Sequence, residues 1–342
     1  MADLASLVRS SLSEHGSSLE VSLFRTSSPE VIADLLRKHL QHSGKSAVDA
    51  LFYRRGVGLV VGFELADGSP VVLKVHRWNA ERSRLTAVLR VQHALSERLA
   101  SVPRSLAGPD RLGTGLATLE QYRPATRANG HEPAVRRNVA NALHTFVEAG
   151  RGIDAMGLGT PVVLTTGVVP LWPEPHDVRF DFAASSRGAE WIDEAAVTAR
   201  RRLAGSEAQA IIGHLDWRTE NLGFLDGVVV AIYDWDSLAI VSEAMLVGAT
   251  AAQFCADWQT ANALPSVDEM RDFVDDYEQQ RGRRFNREDL SALDGANLAL
   301  IAYGARCQHS DMLLHPDLGG TPDDGWQGLL NARGVAPLWQ GE

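Results

Sequence analysis

The sequence predicts an α+β fold in two parts, a small antiparallel β-sheet followed by a mainly helical region. Three short apolar segments, separated by turns that contain glycine, lie between residues 50 and 76 and predict neighbouring strands. Longer segments with helical periodicity occupy most of residues 132–310. Between these regions a further strand ends at Tyr122-Arg123-Pro124. We therefore expect residues 1–121 to form the first part and residues 122–342 the second.

The first part begins with two predicted helices and continues with the strands of the sheet. Pro29 follows Ser28, and proline is typical of the first position of a helix. The Asp67-Gly68 pair predicts a tight turn between the second and third strands. After the third strand we expect an Arg-rich amphipathic helix, then a loop that starts at Val102, then a fourth strand. In order, these are helices at 3–14 and 29–42, strands at 50–54, 59–65 and 70–76, a helix at 80–100 and a strand at 115–121.

The second part is predicted to be helical except around residues 210–236. The Pro-rich stretch 169–182 is interpreted as a loop insertion, and the tail after Leu314 as irregular. The predicted helices cover 132–149, 187–204, 242–262, 267–282 and 287–310.

Composition excludes several classes of function. The chain of 342 residues has a net charge of −10, which is unfavourable for a protein that follows nucleic-acid phosphates, whereas a cationic small substrate is permitted. Its two cysteines, Cys255 and Cys307, form neither a disulfide framework nor a metal cluster. No apolar run approaches the roughly 20 residues of a membrane helix, and Met1 to Ser18 lacks the apolar core of a signal peptide. We expect a soluble cytoplasmic protein with no membrane partner.

Lysine is rare in this chain. Only Lys38, Lys45 and Lys74 occur, and Lys74 lies within the apolar third strand, where a cation is costly unless it meets an anion. Lys45 belongs to a Gly-Lys-Ser sequence that superficially resembles a phosphate-binding P-loop. The leading glycine of that motif would fall at position 39, which is His39, so we interpret the segment as the loop that ends a helix.

The most informative segment runs from His214 to Asp236. Asp216 is followed after five residues by Asn221, and Asp234 comes at the end of the predicted strand 228–233. A short apolar strand precedes His214, so a strand-loop-strand arrangement brings the three polar side chains to one edge. Phosphoryl transfer from a metal nucleotide requires one carboxylate to orient a hydroxyl, and an amide and a second carboxylate to hold Mg²⁺. Turn formation would explain each residue separately, but not their joint spacing.

These motifs resemble those of the aminoglycoside phosphotransferase and choline kinase superfamily, whose members share the protein-kinase fold. The resemblance extends over roughly residues 48–310 and implies a bilobal, protein-kinase-like fold. It also implies Mg²⁺-dependent transfer of a phosphate from ATP, or GTP, to a hydroxyl-bearing small molecule. By the same resemblance Asp216 is the catalytic base, and Asn221 and Asp234 bind Mg²⁺. The implied nucleotide-binding residues are Lys74, Gly56 and Gly58 in the glycine turn, and Glu120 and Tyr122 at the hinge.

Several assignments within this resemblance stay open. Arg218 is either a catalytic cation near the transferred phosphate or a surface arginine, and Asp236 either binds a second metal ion or braces its loop. His214 is expected to orient the loop through a hydrogen bond. Leu215 replaces a glycine that the motif usually has. The glutamate that should pair with Lys74 is not evident: Glu81 is close in sequence and Glu97 is distant.

The acceptor is not identified by the sequence. Acidic residues could hold a cationic acceptor and tryptophans could stack on it, although solvated faces and core packing explain most such residues. A catalytically silent kinase-fold protein that binds nucleotide or a partner is the alternative function, and a protein kinase is disfavoured because no activation-loop anchor follows Asp234. The acceptor-site candidates are Glu243, Asp257, Asp268, Glu269, Asp272, Asp311, Trp172, Trp217, Trp235 and Trp258.

Overall fold

The computed structural model describes residues 3–165, 170–204, 209–258, 263–316 and 320–339. The chain forms two compact units, Met1–Pro124 and Ala125–Glu342. The first contains an antiparallel β-sheet and the second is mainly helical, so the predicted α+β fold class is confirmed.

The first unit is a five-stranded antiparallel sheet with four helices. The strand order is β1-β2-β3-β5-β4, so β3 lies at the centre. Its elements are α1 (Leu4–His15), α2 (Ser18–Phe24), α3 (Pro29–His42), β1 (Ala47–Arg55), β2 (Leu59–Leu65), β3 (Pro70–His76), α4 (Arg82–Ser96), β4 (Ser105–Leu112) and β5 (Gly115–Gln121).

The two faces of this sheet have different roles, because side chains alternate along each strand. Leu73 and Leu119 lie on one face, in a continuous apolar core with Val8, Ile32 and Leu36 from the N-terminal helices. The opposite face carries Lys74. Burial of the apolar face against α1 to α3 therefore determines which side of β3 presents the lysine.

In its described residues, the second unit combines six α-helices with two small two-stranded sheets. Strand β6 pairs with β9, and β7 pairs with β8 through a tight turn at Asp226-Gly227, where both residues have positive φ as such hairpins require. The elements are α5 (Pro133–Gly150), α6 (Glu190–Leu203), β6 (Ala210–His214), β7 (Leu222–Leu225), β8 (Val228–Ile232), β9 (Leu238–Ser242), α7 (Glu243–Ala251), α8 (Val267–Arg281), α9 (Arg287–Leu314) and α10 (Gly325–Arg333).

The predicted helix at 242–262 is correct only over Glu243–Ala251. Strand β9 extends to Ser242, α7 ends at Ala251, and residues 252–258 form turns, while residues 259–262 lie outside the described part. The run rich in alanine around residue 250 has high helix propensity, but the carbonyl oxygens of Phe254 and Ala256 accept hydrogen bonds from Thr219 N and Glu220 N. Tertiary bonding to the loop after β6 thus overrides local propensity.

The tail after Leu314 is not wholly irregular, because it contains α10. This helix has nine residues, two of them glycine, and its sequence carries little helical signal of its own. Its C-terminal Arg333 donates to the buried carboxylate of Asp294 on α9 at 2.6 Å. Contact with α9, rather than local propensity, stabilises the helix.

Other differences concern short elements. Helix α2 and strands β4, β7 and β9 were not predicted, since segments of four to eight residues give little periodicity. The Gly44-Lys45-Ser46 segment does form the loop that ends α3, with Lys45 N bonded to Leu40 O. Among the described residues, no helix combines the length and apolar character needed to cross a membrane. Cys255 and Cys307 are both free and buried.

Replacing Gly248 by alanine should destabilise the second unit. A β-carbon at Gly248 on α7 would overlap the backbone carbonyl of Leu293 on α9, so the two helices would have to separate. We expect a loss of about 1–3 kcal/mol in the free energy of unfolding, measured by urea denaturation. Gly56→Ala is the matched control, because nothing lies within 4 Å of a β-carbon there. Equal stability of the two variants would contradict this prediction.

Candidate active site

The loop between β6 and β7, residues 215–221, is held by hydrogen bonds on both sides. Leu215 N donates to Ser237 O at 3.2 Å, and the Gln253 side chain donates to Leu215 O at 2.6 Å. Further along the loop, Thr219 N donates to Phe254 O at 2.9 Å. The loop is therefore fixed at both ends by bonds to segments outside it, and it includes one short 3₁₀ turn, Thr219–Asn221.

Trp217 anchors the middle of this loop. Its indole is fully buried, donates to Val139 O on α5 at 3.3 Å and contacts the ring of Phe146. Asp216 and Arg218 on either side are only partly buried. Burial of the one tryptophan therefore determines how the two neighbouring charged side chains are presented.

The carboxylate of Asp216 contacts two side chains of its own loop. Asn221 Nδ2 donates to Asp216 Oδ2 at 2.7 Å, and Arg218 Nη1 lies 2.8 Å from Asp216 Oδ1. Arg218 Nε also lies 3.3 Å from Glu220 Oε2. Burial raises the pKa of the Glu220 carboxyl, although the Arg218 guanidinium opposes the shift.

The β7–β8 hairpin brings Asn221 and Asp234 close together. Leu222 pairs with Ile232 in the register, Asn221 immediately precedes this pair, and Asp234 follows it by two residues. Tyr233 N donates to Asn221 O at 2.9 Å, which extends the ladder to these positions. The Asn221 amide donates its two hydrogens to Asp216, to the backbone oxygen and to Oδ2. Its Oδ1 atom and the Asp234 carboxylate are oxygen donors of the kind that Mg²⁺ takes.

Asp234 adopts a backbone conformation that is unusual for a residue other than glycine. Its φ is 62° and its ψ is 56°, in the left-handed region. Strain of this kind persists only where the surroundings over-determine the backbone. Here Ser237 Oγ donates to Asp234 O at 2.9 Å.

His214 stabilises the same turn through a hydrogen bond, as the sequence led us to expect. It is fully buried, and its Nε2 atom lies 2.8 Å from the carbonyl oxygen of Tyr233. A carbonyl oxygen only accepts, so Nε2 must carry the proton and donate. The Nδ1 atom lies 3.1 Å from Ser237 Oγ. Both ring nitrogens face the protein's own loop, which supports bracing rather than metal ligation.

Asp236 differs from Asp234 in its exposure to solvent. It lies in the short 3₁₀ turn Trp235–Ser237, where Trp235 is buried and donates to Ile232 O, while Asp236 points to solvent. Among the described residues, no three His, Cys, Asp or Glu side chains form a group that could hold a metal ion by themselves. Mg²⁺ at this edge would need oxygen atoms from a substrate to complete its coordination.

In the first unit, Lys74 shares one face of the sheet with several side chains of the predicted nucleotide site. Phe52 on β1 lies against Gly62 on β2, where a β-carbon would overlap its ring, and it meets Tyr122 edge-on at 5.3 Å. Phe52 was not predicted as a site residue. The one signal in the sequence for Phe52 was Gly62 within β2, because a glycine inside a strand often marks the close approach of another group.

The two glycines of the turn between β1 and β2 are not equivalent. A β-carbon at Gly58 would overlap the backbone carbonyl of Val75, so this glycine is required by packing against β3. Gly56 has open space around it, and its N–H donates to Gly58 O at 2.9 Å. Gly56 is thus the glycine whose surroundings leave room for a ligand.

Glu120 lies on the sheet rather than in a loop. It is the penultimate residue of β5, it is buried, and its Oε2 atom accepts a hydrogen bond from Gln92 on α4 at 2.7 Å. The two glutamates considered as partners of Lys74 lie at the ends of α4: Glu81 is the N-cap, and Glu97 is the C-cap, exposed and next to His93.

Several acceptor-site candidates are structural residues instead. Trp217 and Trp235 are buried and cannot stack on a ligand. Glu243 accepts a hydrogen bond from Tyr277 and pairs with Arg281, and Glu269 completes a capping box at the start of α8. The remaining carboxylates lie beside arginines, as the pairs Asp257 with Arg127, Asp268 with Arg271, Asp272 with Arg136, and Asp311 with Arg179.

Two candidate tryptophans remain partly accessible. Trp258 is 46% exposed, and the Arg218 guanidinium lies 5.8 Å from its ring centre. Trp172 is half-buried and donates to Asp193 at 2.8 Å. Of these two tryptophans, Trp258 is the one that contacts Arg218 of the loop that carries Asp216.

The strain at Asp234 predicts an unusual order of stabilities. Asp234→Gly should be about 1 kcal/mol more stable than Asp234→Ala, because alanine has a β-carbon in the left-handed conformation and glycine has none. Thermal unfolding of both variants measures the difference. At Asp236, whose φ is not positive, the same pair should show the opposite order, since alanine has the higher helical propensity. Alanine being the more stable choice at Asp234 would contradict the strained conformation.

Comparison with known proteins gives matches in structure only. No protein-family model matches the chain, and no curated protein matches its sequence. Amicoumacin kinase hAmiN, solved in complex with AMP-PNP, Ca²⁺ and Ami, has a TM-score of 0.59 at 9% identity and covers 82% of this chain and 88% of that chain.

Two further solved structures are similar. An aminoglycoside phosphotransferase, APH(4)-Ia, solved as a thermostable mutant with AMP-PNP and hygromycin B, has a TM-score of 0.55 at 14% identity and covers 87% of this chain and 97% of its own. Macrolide 2′-phosphotransferase MphH from Brachybacterium faecium has a TM-score of 0.52 at 12% identity, with 82% and 92% covered. The resemblance found in the sequence is therefore confirmed at the level of the fold: this chain has the kinase-like fold of the small-molecule phosphotransferases.

Proposed function

We propose that this protein is a Mg²⁺-dependent kinase that transfers the γ-phosphate of ATP, or GTP, to a hydroxyl group of a small molecule. One observation carries the proposal: Asp216 and Asn221 on the loop after β6 and Asp234 after β8 converge at one end of the β7–β8 hairpin. The kinase-like fold is consistent with this chemistry, but a fold does not by itself determine function.

Asp216 is the proposed catalytic base. In the transfer, an acceptor oxygen attacks the γ-phosphorus, the bond to the bridging oxygen breaks, and the nucleoside diphosphate leaves. The acceptor's proton passes toward the Asp216 carboxylate, which the Asn221 and Arg218 contacts hold in place. A carboxylate fixed in this way orients the nucleophile, and positioning contributes most of the catalysis in such reactions.

Asn221 and Asp234 are the proposed Mg²⁺ ligands. When bound, the metal ion would neutralise charge on the nucleotide phosphates. Asn221 already donates its amide hydrogens to Asp216, so its oxygen is the atom suited to a cation. Asp236, exposed in the adjacent turn, is the proposed contributor to a second ion.

For the nucleotide we propose Lys74 as the residue that contacts the α- and β-phosphates. Gly56 leaves room for the backbone to approach a phosphate, and Gly58 keeps the turn against β3. Tyr122 and Phe52 together offer an aromatic surface for the base on the same face of the sheet. Glu120 is buried on the same face of the sheet.

The proposed acceptor is an aminoglycoside-like or other hydroxyl-bearing natural product or metabolite. The similar solved structures include enzymes named for amicoumacin, macrolides and aminoglycosides, and this range supports the class without selecting a member. Arg218, between Asp216 and Trp258, is proposed to approach the transferred phosphate. A cytoplasmic location, where ATP is available, belongs to the same proposal.

Asp216→Ala should abolish turnover but preserve nucleotide binding. Loss of a positioned base lowers such rates by about 100- to 10,000-fold, whereas no phosphate contact is removed. The measurements are ADP release with a panel of hydroxylated acceptors, and nucleotide affinity by calorimetry. Asp275→Asn, an exposed carboxylate on α8, is the control and should behave as wild type. Full turnover by Asp216→Ala would refute its role, and no turnover by wild type with any acceptor would favour a silent nucleotide-binding protein.

Asp234→Ala should weaken nucleotide binding specifically in the presence of Mg²⁺. The lost carboxylate would hold the metal and not the base, so affinity measured with excess chelator should match that of wild type. We expect a decrease of at least about tenfold in affinity for the Mg²⁺ complex, by calorimetry. Asp275→Asn again serves as the control. An unchanged Mg²⁺-dependent increment in affinity would count against Asp234 as a ligand.

A further inference from the structure

The lysine that holds phosphates in kinase-type transfer works as one half of an ion pair with a glutamate of the helix after its strand. Helix α4, which follows β3, has no aspartate or glutamate among its fifteen residues. Glu81 and Glu97 bracket the helix as caps, outside its central turns. The usual source of the carboxylate is therefore missing from this chain.

A carboxylate is present on the sheet itself. Strands β3 and β5 are antiparallel neighbours, with Lys74 opposite Thr118 and Val72 opposite Glu120. Residues two apart on a strand share a face, so Lys74 and Glu120 lie on the same face, as diagonal neighbours. Such neighbours are about 7–8 Å apart, a span that a lysine and a glutamate can bridge together.

The surroundings of Glu120 also indicate a charged partner. Its side chain is only 8% exposed, and burial of a carboxylate is costly unless it is both hydrogen-bonded and paired. Elsewhere on this face, His76 Nε2 is bonded to Thr118 Oγ1 at 3.0 Å.

Gln92 occupies the helix position from which a glutamate would reach the sheet. It is fully buried at the middle of α4, and its Nε2 atom donates to Glu120 Oε2 at 2.7 Å and to Pro103 O at 3.1 Å. Both partners only accept, so the amide must present its nitrogen to them. A glutamate at position 92 would instead place two carboxylates in contact. Compared with a kinase whose helix carries the glutamate, this chain has exchanged the two roles: the amide is on the helix and the acid is on the strand.

We propose that Glu120 of β5 is the acidic partner of Lys74 and holds its ammonium in place for the nucleotide phosphates. Gln92 in turn orients Glu120. Both are positioning residues, and the proposal rests on the function proposed above. Because lysine and glutamate belong to hydrogen-bonded neighbouring strands, their distance is set by the sheet, and helix α4 contributes only the Gln92 side chain that orients Glu120. A kinase whose glutamate lies on the helix loses its ion pair when that helix moves.

The test is an exchange of the two side chains. Glu120→Gln should raise the Kd for Mg²⁺–ATP by about tenfold, the effect of losing one ion-pair partner at a buried site. The double variant Gln92→Glu/Glu120→Gln, which returns the carboxylate to the helix, should recover affinity to within about threefold of wild type. Glu64→Gln, an exposed glutamate on β2, is the matched control. Thermal unfolding of each variant shows that it is folded.

A second measurement does not depend on the proposed function. The chain has three lysines, so reductive ¹³C-methylation gives three side-chain NMR signals whose pH titrations can be followed. Glu120→Gln should lower the pKa of Lys74 and leave Lys38 and Lys45 unchanged, because loss of an opposite charge disfavours the ammonium. If Glu120→Gln does not fold, Glu120→Asp and the double variant supply the same comparison.

The outcomes separate the two proposals. Unchanged titration of Lys74 together with unchanged Mg²⁺–ATP affinity in Glu120→Gln would overturn the ion pair, with the kinase assignment intact. Failure of the double variant to recover affinity, when Glu120→Gln has lost it, would overturn the exchange of roles. Absence of nucleotide binding by wild type, with the expected shift of Lys74, would refute the kinase function and keep the pair.

Discussion

The arrangement of the second unit depends on one constraint: the loop after β6, residues 215–221, must bond much of its backbone to segments outside itself. Ser237, Gln253 and the carbonyl oxygen of Phe254 supply those bonds, and burial of Trp217 fixes the middle of the loop. Unpaired buried backbone groups are costly, so this bonding is required for the loop to lie against the core. The early end of α7 follows from the same requirement, because the carbonyls after it face the loop.

The same constraint explains the strained residue at the end of β8. Asp234 turns the chain out of the strand in a left-handed conformation, and His214 and Ser237 bond to the carbonyls of Tyr233 and Asp234 on either side of that turn. A conformation that costs about 1–2 kcal/mol is held by bonds that belong to the fold. The backbone positions of Asn221 and Asp234, the proposed Mg²⁺ ligands, are therefore fixed by bonds within the fold.

In the first unit the alternation of side chains along β3 places the apolar core on one face of the sheet and the polar candidate site residues on the other. Leu73 contributes to the apolar core under α1 to α3, and Lys74 points to the other face, where Glu120 and Gln92 form a buried polar group. Gln92 Nε2 donates to both Glu120 Oε2 and Pro103 O, so a substitution at position 92 or 120 changes the hydrogen bonding of the other residue. A single substitution at either position leaves a charge or an amide without its complement.

The sequence by itself determined the fold class, the central strands and the polar motif from His214 to Asp236, because these depend on local periodicity and on spacing within a short segment. It could not determine the limits of α7, the presence of α10, or the burial of Trp217 and Trp235, which depend on contacts between residues distant in sequence. The sequence also could not identify the residue that lies beside Lys74 on the sheet. Sequence shows that α4 has no acid, but only the register of β3 against β5 places Glu120 diagonally opposite the lysine, since pairing between strands distant in sequence is decided by the tertiary structure.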